Sequence, residues 1–220
     1  VVVPSQSATS RLEVMSSGGF TAAYRELSVV FSRKTGTELN TIYGASMGGA
    51  PSSIPSRLAR GEVADVIILA SEGLDLLIGS GKVVADSRTD LGSSQIGMAV
   101  RDDSDIPDIR TVEAFTQTLL DAKSVAYSAS SSGTYLSTVL FPRLGIGDQM
   151  ALKSTRVVRE RVGTVVARGG ASIGFQQVSE LLPIEGITYV GPIPNEVQKV
   201  TMFSAAVTTH ANAPDIAGQM

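Results

Sequence analysis

A short apolar run, Leu12-Glu13-Val14-Met15, breaks at Ser16-Ser17-Gly18-Gly19 and opens at once into Phe20, Tyr24, Leu27 and Phe31. The last four recur at helical period, so the stretch predicts a strand, a tight polar turn and a helix packed on the strand through one apolar stripe. At such a junction the first backbone N–H groups of the helix lack intrahelical partners. Ser16 and Ser17 stand beside them, and Gly18 and Gly19 remove the side chains that would keep a ligand from the backbone. The helix dipole adds partial positive charge there, which suits an anion. Alone, the turn reads equally as an ordinary capped βα junction. Its recurrence makes it informative.

The second copy is a strand over 38–43, then the small-residue loop Gly44-Ala45-Ser46-Met47-Gly48-Gly49-Ala50-Pro51-Ser52-Ser53, then a helix over 54–60. Ser46 and Met47 are the candidate ligand contacts of this loop; a flexible linker is the competing reading, but it is out of place between two short elements of a compact sheet. The third copy is a strand over 124–127, a loop from Ser128 to Tyr135 and a helix over 136–144. Here Ser131, Ser132, Gly133 and Thr134 supply hydroxyls and backbone N–H groups for an oxyanion, against the bland alternative of a low-complexity serine run.

The remaining segments read as the rest of an α/β protein. Ala64-Asp65-Val66-Ile67-Ile68-Leu69-Ala70 is continuously apolar after Asp65, as a buried parallel strand requires, and Asp65 is expected to pair locally. Ser71 is expected to cap a helix over 74–78. A strand over 94–100 is expected to cross between lobes, and a helix is expected over 111–122. Arg156 to Gly170 reads as a strand end leading into a helix, with Arg159 and Arg161 at its start. Guanidinium groups take carboxylates in two parallel bonds, although most arginines lie on solvated surface. A strand over 171–177 ends in Gln177, which either contacts ligand or cross-links backbone. Strands over 187–192 and 198–207 and a helix opening at Pro214 complete the chain.

Composition narrows the chemistry. A net charge of −3 leaves no basic field for nucleic acid. Cysteine is absent and histidine occurs once, at His210, so thiol catalysis and clustered histidine metal sites are excluded, and no metal or cofactor is expected. No apolar run reaches the roughly 18–20 residues of a membrane span. Neither GxxxxGK[ST], nor G-x-G-x-x-G in a βαβ context, nor G-x-S-x-G is present. What remains is a small polar pocket for a small anion, at the carboxyl ends of parallel strands. The chain begins at Val1, consistent with a removed signal peptide, and 1–11 is expected to be a loose lead-in.

The chain resembles the periplasmic solute-binding proteins of the molybdate-binding, class II type. The resemblance runs through Val14-Met15-Ser16-Ser17-Gly18-Gly19-Phe20-Thr21, Arg57-Leu58-Ala59-Arg60-Gly61-Glu62-Val63-Ala64-Asp65-Val66 and Ala167-Arg168-Gly169-Gly170-Ala171-Ser172-Ile173-Gly174-Phe175. It implies an α/β fold of two lobes, 12–97 with about 200–220 and 98–199, each a mostly parallel sheet flanked by helices. It further implies a monomer in the periplasm that closes on an anion and delivers it to an ABC transporter, and a family pattern that continues past Met220. Three departures favour a carboxylate over molybdate: Gly19 where such proteins place a serine, a longer loop from Ser46 to Ser53, and Gln177 where they present a tyrosine. The Gly-Gly-Phe-Thr-Ala and Phe-Gln-Gln patterns resemble a side branch that includes an aconitate isomerase. The first expectation is therefore a receptor for a carboxylate or tetrahedral oxyanion. The alternative is an isomerase moving a proton on a tricarboxylate, with Arg159, Arg161 or Arg168 holding charge and Glu160, Tyr135 or a serine moving the proton.

Overall fold

A computed structural model describes residues 10–220, so most of the expected lead-in lies outside the described residues. The first half of the chain contains β1 (Arg11–Ser17), α1 (Thr21–Thr35), β2 (Glu38–Gly44), α2 (Ile54–Ala59), β3 (Val66–Ala70), α3 (Ser71–Gly79), β4 (Thr89–Ser94) and β5 (Ile96–Arg101). Next come α4 (Val112–Asp121), β6 (Val125–Ser128), α5 (Ser131–Tyr135), a π-helical turn (Leu136–Leu140), α6 (Phe141–Arg143), α7 (Gly147–Lys153) and β7 (Ser154–Val157). Then follow α8 (Val162–Ala167), β8 (Ile173–Gln177), α9 (Val178–Leu181), β9 (Ile187–Pro192), β10 (Thr201–Val207) and α10 (Pro214–Ala217).

The strands form two five-stranded sheets, ordered β2-β1-β3-β10-β4 and β7-β6-β8-β5-β9. The two orders repeat one plan. In each, three neighbouring strands are parallel, and antiparallel pairing joins them to a strand that arrives from the other half of the chain. The continuous apolar run becomes β3, buried at every position. Met15, Ile54, Ile67, Leu69 and Leu74 fill one side of the first sheet, while Leu12, Val14, Tyr24, Val66 and Ile68 form the core on the other. In the second sheet Phe115 meets Phe175 edge to face at 5.9 Å, within a core that includes Met98, Leu119 and Leu136.

The chain crosses between sheets twice. The first passage is at Gln95, between β4 and β5, so the second sheet takes over at Ile96 and not at residue 98. The second passage follows β9. The two passages run side by side: Gln198 accepts from the Ile96 N–H at 2.8 Å and donates to the Ile96 carbonyl at 3.0 Å.

Four local expectations are corrected. Arg11 belongs to β1 and not to a lead-in. Leu27 of the apolar stripe is 57% exposed, because α1 lies on its sheet mainly through Tyr24. Ser71 does not cap α3; its hydroxyl bonds Ser204 Oγ at 2.6 Å and the Met202 carbonyl, pinning α3 to β10. The serine-rich loop is shorter than expected, since the helix already begins at Ser131. Gly133 permits this early start. A Cβ there would lie 1.7 Å from the Ser128 carbonyl oxygen, so only glycine lets the helix turn back so tightly over β6.

Candidate functional site

The parallel strands of both sheets end on a common cleft of about 660 Å³. The first sheet contributes Gly18, Gly19, Gly44 and Ser46, which follow β1 and β2. The second contributes Ser131 and Ser132 after β6, Arg159, Glu160 and Arg161 after β7, and Gln176, Gln177 and Glu180 around the end of β8. This is the placement that open α/β sheets give their ligands, at carboxyl ends of strands where helices start.

The structure thus brings Gly18, Gly19, Ser46, Ser131, Ser132, Arg159, Arg161 and Gln177 to one cleft. Ser17 is fully buried beside Gly18, and its hydroxyl has no hydrogen-bond partner. Ser131, 4% exposed, is likewise without a partner. A buried hydroxyl left unpaired costs free energy; Ser131 lines the cleft and can bond into it, whereas Ser17 is not part of the lining, and Ser154, at the start of β7, is a third such group outside it. The other hydroxyls are occupied: Ser46 Oγ accepts from the Ala70 N–H at 3.0 Å, and Ser132 pairs with Ser128 at 3.0 Å.

Other candidates fall elsewhere. Ser16 is buried within β1 and its hydroxyl turns to the Ser17 carbonyl. The Met47 side chain lies over Gly73 of α3. Gly133 serves the tight helix start, and Thr134 is exposed; neither lines the cleft. Tyr135 is also outside the lining: its hydroxyl donates to the Val197 carbonyl at 2.9 Å, and Lys199 stands over its ring. Gln177 combines both readings made of it. It lines the cleft. With its amide oxygen accepting from Thr201 Oγ1 at 2.9 Å, its NH₂ reaches Ser94 Oγ at 3.0 Å and the Ser94 and Gln95 carbonyls, so it ties the two inter-sheet passages together.

Of the two proton-moving candidates, Glu160 does line the cleft, but its carboxylate is forked onto Arg168, with Nη2 donating to Oε1 at 2.6 Å. That pairing holds its pKa below the ordinary carboxylate value, which makes it a weak base.

The carboxyl that stands out is Glu180, which sequence reasoning missed. It is 9% exposed, on α9 at the foot of the cleft. Burial pushes its pKa up to about 7, against the opposing pull of the Arg161 charge and of hydrogen bonds from Gln176 and the Gln177 backbone. Gln176 Nε2 donates to Oε1 at 2.9 Å, while Gln176 Oε1 accepts from the Val162 N–H at 2.8 Å, so one amide connects the start of α8 to the carboxyl. On its other side Glu180 abuts Gly18, where a Cβ would lie 2.1 Å from Oε1. Ser179 Oγ donates to the Gly19 carbonyl at 2.6 Å and fixes α9 against the glycine turn. The sequence did carry a signal. It was weak: Gln176 ends β8 and Glu180 lies in α9, so neither the strand nor the helix period by itself brings the two together.

Arg25 of α1 was missed as well. Thr21 and Arg25, four residues apart on one face of α1, both line the cleft.

The chain is 47% identical to an aconitate isomerase from a Pseudomonas species over 206 residues, covering 94% of this chain and 79% of the relative. Among solved structures it is similar to the periplasmic molybdate-binding protein of Azotobacter vinelandii, with a TM-score of 0.73 and 17% identity over 94% of this chain and 90% of that one. It is also similar to Peb3 from Campylobacter jejuni, with a TM-score of 0.63 and 16% identity over 91% and 88% of the respective chains. These two share the two-domain α/β architecture. A family model matches residues 12–219, and the chain belongs to the bacterial extracellular solute-binding proteins.

Proposed function

We propose that this member of the solute-binding family is an isomerase that moves a proton along a small unsaturated polycarboxylate, as in the interconversion of cis- and trans-aconitate. The observation that carries the reading is Glu180. A receptor for an anion gains nothing from a second carboxyl buried in its cleft, since like charge opposes binding. A proton-transfer enzyme needs a carboxyl whose pKa lies near working pH. The kinship with an aconitate isomerase supports the same reading.

In the proposed reaction the Glu180 carboxylate takes a proton from the substrate methylene carbon. The C–H electron pair shifts into the adjacent bond and the double-bond pair moves out onto the neighbouring carboxylate as a dienolate. The carboxylic acid of Glu180 then returns the proton to the former vinylic carbon, leaving the double bond displaced by one position. No oxidant or reductant is consumed. In this reading Arg161 and Arg159, with the Ser131 hydroxyl, hold substrate carboxylates and the charge that develops; all three line the cleft. The two sheets act as lobes, about 12–95 with about 200–220 and about 96–199, closing about the paired passages that Gln177 spans.

A receptor is the second reading, favoured by family membership and by the fold of the molybdate-binding neighbour. Under it the protein sits in the periplasm as a monomer and hands a carboxylate to an ABC transporter. Proton NMR of the protein with trans-aconitate, beside a thermal-shift assay, separates the two. Cis-aconitate signals growing in proportion to protein are expected. A melting shift with an unchanged spectrum leaves only the receptor. Stabilisation by molybdate, with no response to aconitate, overturns both carboxylate readings.

A further inference from the structure

The cleft contains one cation that neither reading has used. Arg159 and Arg161 come from the second sheet, whereas Arg25 comes from the first. Its guanidinium stands over the Tyr43 ring, 5.6 Å from the centroid. Tyr43 is itself held: it meets Tyr24 edge to face at 6.4 Å, and the Tyr24 hydroxyl bonds Thr41 Oγ1 at 2.6 Å. Stacking occupies the flat face of a guanidinium and leaves its N–H edge free. Arg57, Arg60, Arg88 and Arg168 all turn that edge to a carboxylate. Arg25, like Arg159 and Arg161, does not: among the described residues it has no acid within salt-bridge distance and no acceptor for its side-chain N–H groups. It is a pre-oriented, unsaturated fork on the wall opposite Arg159 and Arg161.

We infer that Arg25, braced on Tyr43, is the specificity-determining residue of the cleft, taking the carboxylate that distinguishes a tricarboxylate from a dicarboxylate. The inference rests on the reading that the cleft accepts a polycarboxylate. With the reacting carbon beside Glu180, Arg161, whose charge acts on Glu180, and Arg159 on the same sheet serve two carboxylates. A third carboxylate directed across the cleft meets only Arg25 as a cation of the first sheet. Three guanidinium charges then balance three carboxylates, and a dianion leaves Arg25 unsatisfied. Because the fork lies on the opposite wall, its bond forms across the cleft and also favours closure.

The test compares trans-aconitate with cis-glutaconate, the same carbon skeleton and double-bond geometry lacking the central carboxylate, by calorimetric titration of the whole chain. The wild type is expected to bind aconitate at least tenfold more tightly. Arg25→Gln should weaken aconitate binding tenfold or more and glutaconate binding less than twofold, so the preference collapses. Tyr43→Leu, which removes the brace and keeps the charge, should lower the preference part of the way. A preference unchanged in Arg25→Gln overturns the inference while the polycarboxylate reading stands. A wild type that binds neither acid overturns both. Arg25 is exposed on α1, and a melting curve confirms that each variant folds.

Discussion

Two carboxylates are buried among the described residues, and they are treated in opposite ways. Asp65, 1% exposed, lies just ahead of β3, where Oδ2 accepts from the Glu13 N–H at 2.7 Å and Oδ1 accepts from the Asn212 and Ala213 N–H groups at 2.5 and 3.2 Å. It stitches β1 to the segment after β10. Glu180 has the Gln176 amide, a backbone hydrogen bond from Gln177 and the charge of Arg161. Gly18, packed against its other side, has no side chain to pair with it. Backbone N–H groups from two segments saturate Asp65, so it holds the fold together. Glu180 is under-supplied, so its charge is costly and its proton is available. Hydrogen-bond supply, and not burial, separates the structural acid from the chemical one.

The largest expected break in that comparison is kinetic. Glu180→Gln keeps the shape and the capacity to accept from Gln176 but cannot carry the proton. Loss of a general acid–base group costs on the order of 10²–10⁴-fold, so isomerisation followed by NMR should fall by that factor while aconitate still shifts the melting temperature. Activity retained within tenfold would assign the proton transfer to another group.

Asp65→Asn should act on stability instead. One of its oxygens becomes an NH₂ facing backbone donors, and a charge-assisted set is replaced by a donor–donor clash. Urea unfolding should show a loss of roughly 3 kcal/mol, with ligand affinity per folded molecule unchanged.

The pH dependence sharpens the contrast. The pKa of Glu180 is raised on folding, so the folded chain holds that proton more tightly than the unfolded chain does. Its contribution to stability is fully present below the ordinary glutamate value of 4.5 and is lost as pH rises towards about 7. Glu180→Gln removes the penalty. The variant should match the wild type near pH 4 and exceed it by at most about 3 kcal/mol at pH 8, the reverse of its effect on activity. A constant difference across that range would mean that Glu180 is not held neutral.

Legibility in the sequence followed the same division. The apolar run at 64–70 and the recurring small polar turns were sufficient for an α/β protein with ligand loops at the ends of parallel strands, because those signals are local and periodic; the division into two lobes came from the family resemblance. Ser131, Arg159, Arg161 and Gln177, which line the cleft, were singled out because each lies at or just after the end of a recognisable strand. Glu180 and Arg25 were not, since each sits inside a helix as one charged residue among many. What distinguishes them is the absence of a sufficient partner, which becomes visible only when the two sheets face each other. Tyr135 failed for the converse reason: a tyrosine beside a polar turn looked available until Val197, distant in the chain, took its hydroxyl. Saturation is a tertiary property.

The same distinction can be tested at lower energy between adjacent hydroxyls on the third turn. Ser131 is buried and unpartnered, whereas Ser132 is buried and bonded to Ser128. Ser131→Ala removes a group that makes no bond in the free protein, so stability should stay level or rise by a few tenths of a kcal/mol, while affinity for the carboxylate ligand drops by about tenfold, the worth of one hydrogen bond to a charged group. Ser132→Ala should do the opposite, costing about 1 kcal/mol in urea unfolding by stranding Ser128 and changing affinity less than twofold. Paired melting and titration curves for the two variants decide it. If both serines proved purely structural, the unpaired hydroxyl would be a packing defect, and the cleft would have to bind its anion through the arginines and backbone N–H groups alone.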